Sequence, residues 1–224
     1  MTPKIFVSAL VAGAIAGLLA AALQFAFVIP LLLEGELYET GARVHFSETG
    51  AESISESPAL GWDIQRHGLT VAFNLIAWIG FALIFVAAMV ALSRRGWEIN
   101  ARTGAVWGLF AFLAVHLAPA VGLPPELPGT AAAEVGSRYL WWAGTIIATI
   151  LAFGLMALRP AIGSVIAGAI LLLAPHFYGA PHLENYFGVA PPELSALFAT
   201  RTLAVAAATW VILGSVAGWM WDRD

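Results

Sequence analysis

Histidines and carboxylates beside prolines are the groups in this chain whose chemistry is most suggestive. His116 lies well inside an apolar stretch, three residues before Pro119, which cannot donate a backbone hydrogen bond and should loosen the helix. His176 and His182 each directly follow a proline, with Glu184 just beyond. Neutral imidazole and carboxylate suit zinc, nickel and cobalt(II), whereas the thiolates that would favour softer metals are absent from a chain without cysteine. These residue types favour a site for a borderline divalent metal.

The spacing of the histidines leaves a second interpretation open. His176 and His182 are six residues apart across a proline, so no helical face aligns them as in an HxxxH pattern. A single histidine in an apolar helix is often a packing residue with one hydrogen bond. His67, beside Arg66, is a further candidate ligand on the same terms, and His45 is a weaker one.

A short repeated motif supplies two more candidate ligands. The tetrapeptide PPEL occurs at 124–127 and again at 191–194, which places Glu126 and Glu193 at equivalent positions. Either these carboxylates contact an incoming cation first, or they cap the helical turns that follow their prolines. The repetition also raises the possibility that the chain consists of three related hairpins.

The composition excludes several classes of function. No GxxxxGK[ST] loop is available to hold ATP phosphates and no GxSxG elbow supports a hydrolase, so the chain is not expected to be an enzyme. The net charge of −4 comes without a basic run that could neutralise a nucleic-acid backbone. No charged residue falls at the middle of an apolar stretch, which disfavours a simple proton antiporter.

The elements that must position these groups are membrane helices. The chain is 60% hydrophobic and 11% charged, with a mean hydropathy of +0.85, and a helix of about 20 apolar residues crosses the hydrocarbon core. We therefore predict an all-α integral membrane protein with a single transmembrane domain, residues 1–224. Six helices are predicted near residues 5–33, 68–92, 103–121, 140–158, 161–178 and 202–221. Because the first run continues to Leu33, it is too long for a typical signal peptide, and cleavage is not favoured.

The charges in the connectors predict the orientation. With both termini in the cytoplasm, six of the ten Lys and Arg residues lie inside, whereas eleven of the fourteen acids lie outside. The long acidic outer loop 34–67 has little apolar surface with which to fold alone. An acidic rim would concentrate cations, although a merely solvated acidic surface is the alternative. The six helices would form three successive hairpins.

Glycine spacing and polar side chains predict the shape of the bundle. GxxxG steps at 13–17, 104–108 and 214–218 predict close helix approach near the cytoplasmic ends. Polar side chains fall instead in the outer halves of the helices and predict an outward funnel, unless each merely bonds a neighbouring helix. They are Gln24, Asn74, His116, Thr145 and Thr209.

Several of these segments resemble one family. The run HLAPAVGLPPELPG at 116–129, the later LAPH and APHLE segments and the opening hairpin with its acidic loop resemble CbtA, the predicted cobalt transporter subunit. The resemblance covers nearly the whole chain and implies a multi-pass protein of the bacterial inner membrane that takes up cobalt for cobalamin synthesis. It also implies a small single-helix partner, CbtB, with a histidine-rich end. The family has been described with five or six spans, and this sequence favours six.

Two functions from different classes follow. The first is a subunit for uptake of cobalt(II) or nickel(II), with no resident cofactor, His116, His176 and His182 as ligands and the outer acids as attractors. The second is a non-transporting scaffold that docks a small partner helix. An intramembrane enzyme acting on lipid is a third and weaker alternative. The sequence leaves open cobalt against nickel, the energy source, the direction of transport and the oligomeric state.

Overall fold

The computed structural model describes residues 2–45, 56–185 and 187–223, and within these ranges it is helical, without a β-strand. The acids Glu48, Glu52 and Asp224 lie outside the described residues. The helices are α1 (Thr2–Phe27), α2 (Ile29–Glu39), α3 (Ile64–Ser93), α4 (Ala101–Ala120), α5 (Val135–Leu158), α6 (Ile162–Tyr178) and α7 (Pro192–Asp222). The all-α architecture predicted from the sequence is thus confirmed.

Five of the described helices are long and apolar enough to cross a membrane: α1 over Ile5–Phe27, α3, α4, α5 and α7. Helix α6 is apolar but has only 17 residues, and at 1.5 Å per residue it is about 25 Å long, somewhat short of a hydrocarbon core of about 30 Å. A multi-pass membrane protein follows from these helices. The sixth span, the hairpin arrangement and the cytoplasmic termini remain predictions.

The first predicted span, 5–33, differs from the observed helices. Helix α1 ends at Phe27, Val28 forms a turn, and α2 then continues to Glu39. Pro30 explains the break, because a proline inside a helix has no N–H to donate and its ring crowds the preceding turn. The Arg201 guanidinium donates to the Phe27 carbonyl, one of those that the end of α1 leaves without a helical partner, at 3.4 Å.

The chain folds into two compact units, and the first comprises Met1–Pro30, Pro58–Phe112 and Arg201–Asp224. In this unit α1 packs along α3, and a Cβ at Gly13 or Gly17 would meet the α3 backbone. A Cβ at Gly104 would likewise meet the Gly214 carbonyl of α7. The close approaches predicted from the GxxxG steps are confirmed. An aromatic cluster completes the unit, in which Phe81 is half-buried and the other three rings are buried: Trp78, Phe81, Phe85 and Trp210.

The second unit comprises Leu31–Ser57 and Leu113–Thr200 and contains every candidate ligand except His67. Helices α5 and α6 pack against each other, with the start of α5 beside the end of α6, where Trp141 bonds the Pro175 carbonyl. The two helices therefore run antiparallel to each other.

Within the second unit, α4 changes its winding. Residues Leu113–Leu117 form a π-helical turn between Ala101–Phe112 and Ala118–Ala120. Pro119 lies two residues beyond this turn. Since it cannot donate to the carbonyl four residues earlier, the helix is loosened where the sequence predicts. Short π-helical segments of this kind are often found at functional sites.

Candidate metal site

His116 lies in the π-helical turn of α4. Its side chain is half-buried, and α5 packs against this turn. Pro119, three residues later, is fully buried. The structure therefore places this imidazole inside an apolar span, in the part of α4 that is wound as a π-helix.

His176 lies in the last turn of α6 and contacts Trp141 of α5. The two ring centroids are 5.9 Å apart at an interplanar angle of 71°. The Trp141 indole N–H donates to the Pro175 carbonyl at 3.0 Å. His176 is thus half-buried and lies against a buried aromatic ring.

His182 and Glu184 are exposed in the loop after α6. The Nδ1 atom of His182 lies 3.1 Å from the Leu183 carbonyl. Because a carbonyl can only accept, Nδ1 carries the proton in the neutral ring, and Nε2 keeps the lone pair that a metal would bind. The loop thus offers an imidazole in a suitable tautomer.

The two loops that contain or precede the PPEL motifs lie side by side. Thr130 and Gly188 form an isolated antiparallel bridge, and the Ala131 N–H donates to the Phe187 carbonyl at 3.0 Å. Leu127 packs against Gly35 of α2 and is buried. The loop that carries Glu126 is therefore joined by backbone pairing to the loop that carries His182.

The two motif glutamates have different surroundings. Glu126 lies outside any helix and accepts a 2.7 Å hydrogen bond from Arg138. Glu193 lies in the first turn of α7, directly after Pro192, where a negative charge interacts favourably with the helix dipole. The capping interpretation therefore suits Glu193, whereas Glu126 is half of an ion pair.

His67 belongs to the first unit, at the start of α3. Its Nε2 lies 3.1 Å from the Gly61 carbonyl, so Nε2 donates and Nδ1 has the lone pair. That Nδ1 atom is buried and has no hydrogen-bond partner among the described residues. The ring meets Phe25 edge-on at 5.3 Å.

Among the described residues, no three His, Asp or Glu side chains are close enough together to hold a metal ion. The candidates other than His67 nevertheless fall in the second unit: His116, His176, His182, Glu126, Glu184, Glu193 and the weaker candidate His45. The structure brings the loops of Glu126 and His182 together, but it does not assemble the candidates into one preformed cage.

Four of the polar side chains predicted to line a funnel bond within the protein instead. Gln24 and Asn74 exchange two amide hydrogen bonds, of 3.0 and 3.1 Å. Thr145 and Thr209 are fully buried, and each donates to the carbonyl four residues earlier in its own helix. The alternative interpretation, a hydrogen bond to a neighbouring helix, therefore applies to Gln24 and Asn74, whereas the two threonines bond within their own helices.

Three features were missed by reasoning from sequence. Glu34, assigned to the acidic rim, is only 5% exposed and accepts from Arg43 at 3.2 Å and from the Ser57 hydroxyl at 2.9 Å. The leucines directly before Glu34 were the available signal for its burial. Trp141 is the second missed feature, because a tryptophan near the end of a membrane helix is typical of the membrane interface, but this one is buried against His176.

Glu134 is the third missed feature, as the N-cap of α5. Its carboxylate accepts from the backbone N–H groups of Gly136 at 2.8 Å and Ser137 at 2.7 Å. The bond from Gly136, followed by that from Ser137, lowers the pKa of this carboxyl below its ordinary value. The charged form of Glu134 therefore holds the start of the helix that carries Trp141.

The chain matches a known protein family. The family model described as probable cobalt transporter subunit (CbtA) matches residues 2–222, nearly the whole chain. No curated protein and no solved structure gives a significant match.

Proposed function

We propose that this chain, which belongs to the family of probable cobalt transporter subunits (CbtA), moves cobalt(II) across the membrane as part of a transport complex. The family description names a transporter subunit rather than an enzyme. The five spanning-length helices fit a protein that works within the bilayer. We extend the proposal to the bacterial inner membrane and to cobalt supply for cobalamin synthesis, with nickel(II) as the competing cargo.

The observation that carries the proposal is the imidazole-bearing end of the second unit. His176 ends α6, and His182 follows in a loop that is paired with the loop of Glu126. Imidazole nitrogen with carboxylate oxygen is a donor set that suits cobalt(II). We assign His116, His176 and His182 as ligands along the path, with Glu126, Glu184 and Glu193 as attractors on the outer face.

The lack of a three-residue cage among the described side chains suits transport better than storage. An ion that passes through a protein must bind strongly enough to enter and weakly enough to leave. One or two protein ligands at a time, with water completing the coordination, meet that requirement. His67 would act separately, through its free Nδ1 lone pair in the first unit.

A partner subunit would supply further ligands. The description of the family as a subunit implies such a partner, and we propose that it is a small single-helix protein with a histidine-rich end, as in CbtB. Its imidazoles would complete the coordination that the described part of this chain leaves open. The complex, rather than this chain alone, would then be the transporting species.

Uptake of cobalt(II) into proteoliposomes tests the proposal, with this chain alone and with the candidate small subunit, under imposed pH and voltage gradients. We expect uptake with the subunit present and a loss of most of it in His176→Ala and in His182→Ala. Asn185→Ala, at an exposed position in the same loop as His182, serves as the control. Variants at 116, 176 and 182 that insert normally and still transport at the full rate would remove the ligand assignments.

A scaffold that docks a partner helix is the second candidate, because Gly80 of α3 and Gly144 of α5 face open space, with nothing within 4 Å of a Cβ placed there. Small residues on a membrane helix allow another helix to approach closely. If the reconstituted complex binds the small subunit but never passes cobalt(II), this function replaces transport.

A further inference from the structure

The geometry points to Trp141 as the positioning residue that orients His176 and connects it to the segment following His116. This inference rests on the proposed role of His176 in handling cobalt(II). Trp141 does not offer a ligand itself, since an indole has a donor N–H and no lone pair available to a metal. Its effect would come through the backbone and the ring of the neighbouring histidine.

The first contact fixes the backbone beside His176. Trp141 is only 7% exposed, and its N–H donates to the Pro175 carbonyl at 3.0 Å. The Gly179 N–H donates to the same oxygen at 3.1 Å. That carbonyl belongs to the peptide group joining Pro175 to His176. The Trp141 and Gly179 donors therefore restrain the orientation of this peptide plane, next to the Cα atom of His176.

The second contact restrains the imidazole ring. The centroids of Trp141 and His176 are 5.9 Å apart at 71°, an edge-to-face arrangement within the range that aromatic pairs prefer. A rotation of the imidazole about its side-chain bonds would break this contact. The indole therefore limits the directions in which the His176 ring nitrogens point.

The third contact reaches the chain beyond His116. A Cβ at Gly122 would lie 2.6 Å from Cη2 of Trp141 and 2.7 Å from Cβ of Ala180. Gly122 is not among the glycines with positive φ, so a side chain is excluded here by the space that the indole occupies and not by backbone conformation. One ring thus touches both the segment that continues the π-helical turn and the end of α6.

The neighbouring tryptophan, Trp142, has different surroundings from Trp141. Trp142 is 37% exposed, and its ring lies 6.0 Å from Tyr139 at an angle of 31°, as suits an aromatic side chain at a membrane surface. The same substitution at the two adjacent positions therefore separates positioning of His176 from a general loss of indole.

Kinetics of cobalt(II) uptake by the complete transport complex test the inference. Residues that orient a metal ligand typically change metal affinity by about 10- to 100-fold when mutated. We expect Trp141→Phe, which keeps a ring but loses the N–H donor, to raise KM for cobalt(II) about tenfold, with little change in maximal rate. Trp142→Phe should leave KM unchanged. Gly122→Ala, which displaces the indole from its other side, should also raise KM and gives an answer if Trp141→Phe inserts poorly.

The double variant Trp141→Phe/His176→Ala distinguishes positioning from a general packing role. If Trp141 acts through His176, its substitution adds nothing to the KM of His176→Ala. An unchanged KM in both Trp141→Phe and Gly122→Ala, with His176→Ala impaired, would overturn this inference and leave the proposed function intact. Normal transport by His176→Ala would remove the ligand role of that histidine, and this inference with it.

Discussion

The Arg138 guanidinium donates to the Glu126 carboxylate at 2.7 Å, so the first-motif glutamate already has a cationic partner. The two side chains are 27% and 29% exposed. An ion that binds Glu126 must therefore displace Arg138 or share the carboxylate with it. A metal ion would therefore compete with Arg138 for the Glu126 carboxylate. The Glu193 carboxylate instead lies in the first turn of a helix.

Removal of the competing arginine should strengthen capture of the ion. In Arg138→Gln we expect faster cobalt(II) uptake at sub-saturating concentration, by up to about fivefold, because a partly exposed ion pair is worth at most about 1 kcal/mol. Glu126→Gln should slow uptake under the same conditions. Initial rates across a range of cobalt(II) concentrations measure both effects.

Arg102→Gln controls for the loss of positive charge in general. If Arg138→Gln and Arg102→Gln change uptake equally, the effect is one of overall charge and not of the pair with Glu126. If Glu126→Gln transports as well as the unsubstituted protein at low cobalt(II), Glu126 does not contact the ion.

The Glu126–Arg138 pair also shows why the sequence predicts the positions of the helices but not the contacts within the candidate site. Length and apolar composition are local properties, so the helices were predicted nearly in place, and glycine spacing predicted where their backbones touch. An ion pair between residues 12 apart depends on the path of the intervening loop, which composition does not determine. Glu34 was missed for the same reason, because its partners Arg43 and Ser57 lie 9 and 23 residues away along the chain.

Two irregularities of the helices are caused by prolines, and the sequence analysis predicts only one of them. Pro119 was expected to loosen α4, and the π-helical turn Leu113–Leu117 ends two residues before it. The predicted span 5–33 continues through Pro30 without a break, although the same lack of an N–H ends α1 at Phe27. The residues on both sides of Pro30 are apolar. Apolar composition predicts that a segment lies in the membrane, but it does not predict whether the segment is one continuous helix.

The Gln24–Asn74 pair should stabilise the contact between α1 and α3. Asn74→Leu leaves the Gln24 amide without its partner in an apolar span, and we expect a loss of about 1 kcal/mol in the free energy of unfolding, near the range measured for such bonds in membranes. The double variant Gln24→Leu/Asn74→Leu should be less destabilised than the sum of the two single variants. Unfolding in mixed detergent micelles measures these differences.

The same double variant tests the role of the pair in transport. Because each amide is occupied by the other, we expect cobalt(II) uptake per inserted molecule to stay within about twofold of the unsubstituted protein, since packing substitutions outside a binding site leave its chemistry unchanged. Strictly additive single effects together with lost uptake would show that the amides contact the ion.

The contact between Gly104 and Gly214 should tolerate no side chain. In Gly104→Ala the new Cβ would meet the Gly214 carbonyl, and overpacking of this kind costs about 1 to 3 kcal/mol. Gly80→Ala is the matched control, because nothing lies within 4 Å of a Cβ at that position of α3 and alanine is the better helix former. Thermal unfolding in detergent, followed by gel filtration, measures both; equal Tm values for the two variants would contradict the close approach.

The Glu134 cap should make the start of α5 sensitive to acid. Hydrogen bonds from Gly136 and Ser137 lower the pKa of Glu134 below the ordinary value of 4.5, so the folded state binds the proton less readily than the unfolded state. The stabilisation is therefore fully present above the unfolded pKa and is lost as the pH falls through the lower, folded pKa. We expect Glu134→Gln to lower Tm at neutral pH and to flatten the fall of Tm below about pH 4.5. Glu56→Gln, at an exposed position, is the control, and a Glu134→Gln profile that runs parallel to the unsubstituted one into acid would contradict the cap. Because α5 carries Trp141 in its second turn, a loosened cap should also raise KM for cobalt(II) in the acidic range, which uptake assays across the same pH series would detect.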